Sequence, residues 1–124
     1  MPKKIYTVLL WVQGVYALLT ALWGLIDINS FMLVTGPKTD IWLVKTVSVL
    51  LVAITTGFFS ALFLNLPPLP VCLLGSTTAA GLAFIDFYYT ANGTIKWVYA
   101  VDGVAELLFF LTWMYLISRH KSLH

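Results

Sequence analysis

Apolar residues fill four stretches of the chain, roughly Ile5–Ile26, Ile41–Leu64, Leu69–Ala91 and Lys96–Ile117, and polar residues collect between them. Each stretch is close to the ~20 residues that a helix needs to cross a hydrocarbon layer of ~30 Å. Between the first two lies "DINSFMLVTGPKTD", which reads as a loop of turn-formers and charges around Gly36-Pro37. In "NLPPLP", Pro67 and Pro68 cannot continue a helix, so a tight hairpin is expected. Asn92-Gly93 marks a turn between the third and fourth stretches. The tail "SRHKSLH" is polar and short. The pattern predicts an all-α fold: a single integral membrane four-helix bundle over residues 1–124, with both termini on the same side.

Unrolled at helical spacing, each stretch has a stripe of small or polar residues. In the first the stripe is Gln13, Tyr16, Thr20 and Trp23, continued by Asp27. In the second it is Lys45, Ser48, Val52 and Thr55. The third carries Gly75, Ala79, Leu82, Asp86 and Tyr89, and the fourth Tyr99, Asp102, Glu106, Phe109 and Trp113. Lipid tails do not solvate such stripes, so all four are expected to face a common interior. A helix rise of ~1.5 Å per residue puts Lys45, Asp86 and Asp102 at one level, below the end that carries the 36–40 loop and the 92–95 turn, with Glu106 about one turn deeper. Gln13, Ser48 and Thr55 are read as interhelical hydrogen-bonding residues. The five tryptophans are read mainly as interface anchors near the span ends, with Trp42 and Trp97 also placed to wall a pocket mouth.

Composition agrees with the membrane reading. The chain is 60% hydrophobic and 10% charged, far below the roughly 25% charged residues of soluble domains. A net charge of +2 with no basic stripe argues against nucleic-acid binding. "MPKK" followed by apolar residues resembles the start of a signal peptide, but the stretch is about 22 residues long. That exceeds the roughly 7–15 of a signal core, so it is read as a retained span. The single cysteine, Cys72, gives neither an internal disulfide nor a cysteine-based zinc site. Lys3, Lys4, Arg119 and Lys121 flank the terminal end, against Lys38 and Lys96 at the other. This balance favours cytoplasmic termini by the positive-inside rule, in a bacterial inner membrane. "LIDINSF…TDIWLV" faintly echoes "FIDFYYT…TIKWVY", as two parallel two-helix units would.

Fully ionised, the predicted cluster of Lys45, Asp86, Asp102 and Glu106 carries two surplus negative charges, which an interior of low dielectric does not tolerate. Protons retained by the acids, a bound cation, or water from the outer face would resolve this. A plain alternative is that Lys45 pairs with Asp102 or Asp86 only to fix helix register. The surplus acid favours an outward-facing polar pocket that binds, and in a further step carries, a small lipophilic or cationic molecule. Glu106, Asp102, Asp86, Lys45, Tyr16, Trp42, Tyr89 and Tyr99 are its candidate ligand-binding or proton-coupling residues. Glu106 is the coupling group if transport occurs, and the aromatics suit a cation. No catalytic triad, metal motif or phosphate loop is present, so no catalytic residue, metal or cofactor is assigned. The expected partners are the bilayer and the small molecule; Gly75-x-x-x-Ala79 allows close helix approach either inside the bundle or between copies of the chain, the latter giving a homo-oligomer. The competing reading is an accessory subunit whose loops dock on another protein and whose buried charges are structural.

"FMLVTGPKTDIWLVKTVSVLL" with "VYAVDGVAEL" resembles a group of small four-span bacterial membrane proteins over most of the chain, and that resemblance implies no particular activity. In architecture the pattern is similar to the DoxX-like and the EXPERA-type sterol-binding and isomerase proteins, a likeness that implies a lipophilic ligand between the helices.

Overall fold

The computed structural model describes residues 2–123. They form α1 (Pro2–Ile26), α2 (Ile28–Thr35), α3 (Ile41–Phe63), α4 (Pro68–Ala91) and α5 (Val98–Ser118), followed by a 3-10 turn at His120–Leu123. α1, α3, α4 and α5 are long and apolar enough to cross a membrane, each having 21 to 25 residues, or ~32–37 Å of helix. The four expected spans are therefore present. The outward apolar surface is broad: Val8, Leu19, Val49, Leu50, Leu108 and Leu111 are each at least half exposed, as helices bathed in lipid should be.

The expected loop after the first span is a correction. Residues 28–35 are helical. Asp27 stops α1 and starts α2, its side chain accepting a hydrogen bond from the Ser30 amide at 3.3 Å, which is the N-cap geometry. The Trp23 indole donates to Ser30 Oγ at 2.7 Å and meets Phe31 edge-on at 5.2 Å. These contacts fold α2 back over the end of the bundle. Asp27 thus caps a helix, whereas its proposed repeat counterpart Asp86 is buried in α4, so the two acids do different work. Gly36 ends α2 with φ +106 and ψ 152, backbone that side-chain-bearing residues avoid. Gly36→Ala is expected to destabilise the α2 cap by about 1–3 kcal/mol, seen as faster amide hydrogen exchange in residues 28–35 with the spans unaffected.

The chain packs as two close pairs, α1 with α3 and α4 with α5; contact between the pairs, α1 with α5 and α3 with α4, is lighter. Pro68 opens α4 at its first turn, where its missing N–H costs nothing, and so makes the short connection from α3. The 3-10 turn packs on α1 and α4, which puts both termini at one end, as expected. Its Leu123 is buried in the main apolar cluster, so the tail is not wholly polar. The opposite end, the loop end, carries α2 and the 92–97 turn.

The centre of the bundle is held by Gln13, Gly75 and Trp113. The Trp113 indole donates to Gln13 Oε1 at 2.5 Å, and Gln13 Nε2 donates to the Gly75 carbonyl at 3.5 Å. A Cβ on Gly75 would lie 2.2 Å from the indole ring, so only glycine admits Trp113 there. Trp113 is fully buried, as its place on the inward stripe of the fourth span predicts, and so is not one of the interface anchors. The small-residue pattern at Gly75 and Ala79 is likewise used inside this bundle, where both are buried.

Candidate functional site

Above this centre, toward the loop end, lies a cavity of about 310 Å³. Its floor and one wall come from α1 and α5 through Tyr16, Asp102 and Glu106; Asp86 enters from α4, Phe31 from α2, Lys38 from the loop that follows, and Tyr99 from the start of α5. Most of the remaining lining is aliphatic, including Leu51 and Leu82. Few polar groups in an otherwise apolar concavity is the usual make-up of a small-molecule site.

The three acids converge as the helical spacing predicted. Gly103 lets α5 lie against α4: a Cβ there would meet Asp86 Cβ at 3.1 Å. This close approach brings the Asp86 and Asp102 carboxyls within hydrogen-bond reach of each other. The Tyr16 hydroxyl donates to Asp102 Oδ1, and the Tyr16 ring packs edge-on against Phe109 at 5.7 Å, which fixes its direction. Glu106 lies one turn below Asp102 on the same face. Asp86 is 5% exposed and Glu106 3%. Asp86 Oδ2 and Glu106 Oε2 are buried without a hydrogen-bond partner, although buried acceptors are ordinarily satisfied. Among the described residues, no three His, Cys, Asp or Glu side chains gather closely enough to hold a metal ion.

Of the expected site residues, Glu106, Asp102, Asp86, Tyr16 and Tyr99 line this cavity, and Lys45, Trp42 and Tyr89 do not. Lys45 is exposed on the outside of α3, beside Thr46, Val49 and Leu50. The sequence stripe ran through Lys45, Ser48, Val52 and Thr55, but the buried stripe is Ser48, Leu51, Thr55 and Phe58. Packing follows the large apolar side chains, and Val44 rather than Lys45 reaches the cavity. A lysine also costs less when its long stem carries the ammonium outward. Trp42, 67% exposed in the first turn of α3, fits an interfacial anchor. Tyr89 is partly exposed and packs edge-on against Tyr88 at 5.1 Å.

The cation at the site is Lys38, which the sequence reading treated only as a loop charge. Its ammonium donates to the Thr35 carbonyl, Thr35 Oγ1 and the Gly36 carbonyl at 3.2–3.4 Å. It stands 5.8 Å from the Phe31 ring centre and 5.1 Å from that of Tyr99, within cation–π range of both. Phe31 and Lys38 could have been found from the Asp27–Ser30 capping signal, which turns a supposed loop into a helix that presents Phe31 inward. We expect Lys45→Gln to leave cation binding by the protein unchanged within about twofold, an effect below ~0.5 kcal/mol as for surface substitutions, in a calorimetric titration.

Comparison with protein-family models, with curated proteins and with solved structures gives no match to this chain.

Proposed function

We propose that this multi-pass membrane protein binds a small organic cation in the loop-end cavity, with the bundle's termini in the cytoplasm and the cavity on the outer side of a bacterial inner membrane. The observation that carries this reading is the pair of buried, unpartnered carboxyl oxygens of Asp86 and Glu106 on an otherwise largely apolar cavity. Two carboxyls as close as those of Asp86 and Asp102 repel unless a proton or a cation stands between them. Lys38 does not supply that charge directly, because its ammonium is hydrogen-bonded to Thr35 and Gly36. An ammonium head entering the cavity would approach the Asp86, Asp102 and Glu106 carboxyls that line it and balance their charge. In its absence, protons on the acids hold the same charge balance, so cation and proton compete for one site.

Calorimetric titration of the purified protein in lipid nanodiscs with tetramethylammonium tests this. Saturable binding is expected, and the double variant Asp86→Asn, Glu106→Gln is expected to lose it while retaining its helical content. Absence of binding by the unaltered protein, or equal binding by the double variant, would overturn the reading.

A further inference from the structure

Two residues that line the cavity, Val47 and Ile85, are also about half exposed, at a level within the membrane span. The space a Cβ on Gly57 would take is bounded by Leu74 at 3.2 Å, so α3 and α4 touch at that level. Because the two helices are antiparallel, moving ten residues toward the loop end from Gly57 and from Leu74 brings Val47 to about the height of Phe84 and Ile85. Both Val47 and Ile85 line the cavity, yet Val47 is 50% and Ile85 46% exposed on the outside of the bundle. Leu43, one turn above Val47, shows the same double character at 44%. A side chain that faces both a cavity and the exterior marks the edge of an opening. Val47 is six residues below the first residue of α3, and Ile85 six below the last of α4. That is ~9 Å of helix rise in each case, inside the segment that spans the hydrocarbon. The edges are aliphatic, and so is the outer surface around them, where Leu50 and Phe84 are 58% and 63% exposed.

From this seam we infer that the ligand is a membrane-dissolved amphiphile: an ammonium head on a single alkyl chain, which enters from the bilayer between α3 and α4. This rests on the proposed cation site and names its substrate class. The head sits among Asp86, Asp102 and Glu106, and the chain leaves between Val47 and Ile85 into lipid. The cavity, at about 310 Å³, is at the small end of the roughly 300–1,000 Å³ of ligand pockets, so a long chain has to remain outside. Because the seam walls and lipid tails are equally apolar, the chain moves between them at little cost. At the water side, α2 and the Lys38 loop cover the cavity instead, with Phe31 and Lys38 forming its lining. A wholly water-soluble cation gains nothing from the seam.

Two measurements test the seam. The first uses the unaltered protein in nanodiscs and decyltrimethylammonium carrying a diazirine at the chain end, kept below the concentration that disrupts the bilayer. Photolabelling is expected on the outward surfaces of α3 and α4 beside Val47 and Ile85, and excess unlabelled amphiphile should suppress it. Label confined to residues 27–40, or spread evenly over the spans without competition, overturns the inference. The second joins Val47→Cys and Ile85→Cys with a short bis-thiosulfonate reagent; Cys72 is fully buried and out of its reach. The preference for decyltrimethylammonium over tetramethylammonium is expected to fall at least tenfold on cross-linking and to return on reduction. An unchanged preference sinks the seam while leaving the cation site standing, whereas loss of tetramethylammonium binding from the unaltered protein sinks the site itself.

Discussion

Trp113→Ala is expected to destabilise the bundle by about 3–5 kcal/mol, the usual range for removing a fully buried aromatic side chain. The indole is 0% exposed, stacks on Phe58 at 6.4 Å and is met edge-on by Tyr6 at 6.0 Å. It also fills the space that Gly75 leaves open. Truncation therefore removes contacts to three helices and strands Gln13 Oε1, which accepts its N–H. A buried acceptor left unsatisfied costs about 1–3 kcal/mol. Trp113→Phe separates the two effects, since it keeps most of the packing and loses only the donor; an intermediate loss is expected. Adding Gln13→Leu to Trp113→Phe removes both polar partners, and the double variant should be more stable than the sum of the single changes predicts. Unfolding in mixed micelles, monitored by helical circular dichroism, reads the unaltered protein and the four variants, Gln13→Leu alone included. A Trp113→Ala loss below ~1 kcal/mol would show that these contacts do not hold the bundle together.

The difference between what the sequence showed and what it hid follows from which forces each residue obeys. The spans were legible because lipid demands long, uncharged, internally hydrogen-bonded segments, and four apolar stretches satisfy that demand. The convergence of Asp86, Asp102 and Glu106 was legible for a related reason: acids so deep in spans have to face inward. The phase of α3 was not legible from its polar residues. Ser48 and Thr55 belong to its buried face, but Leu51 and Phe58 complete that face and turn Lys45 outward. A lysine near a span end can satisfy itself by snorkelling, so its position carried less information than that of a short-stemmed aspartate. α2 was hidden in a segment with a strong turn signal at Gly36-Pro37, although Asp27 and Ser30 hold the capping geometry. Lys38 was hidden with it, because only the fold of α2 carries that loop across the cavity.

Glu106→Gln is expected to weaken tetramethylammonium binding at least tenfold, or about 1.4 kcal/mol. The substitution keeps size and shape and removes one charge from a side chain that is 3% exposed. At ~4 Å and an effective dielectric constant of ~20, a unit charge pair gains about 4 kcal/mol. Partial desolvation of both ions offsets much of that, so a tenfold to hundredfold loss is the range to expect. The acid form of Glu106 or Asp86 offers the ligand no charge, so protons and cation are linked: affinity should fall as the buffer is made more acidic. The slope reaches up to about one log unit per pH unit for each proton displaced and should flatten in Glu106→Gln, which has one competing group fewer. Asp102 differs from the other two because the Tyr16 hydroxyl already serves it. Tyr16→Phe removes that donor without touching a charge, and should change affinity less than Glu106→Gln does. If the carboxyls only fixed helix register, these substitutions would alter stability while any cation bound with the same affinity at every pH; a titration that is flat in pH and blind to Glu106→Gln would establish that case.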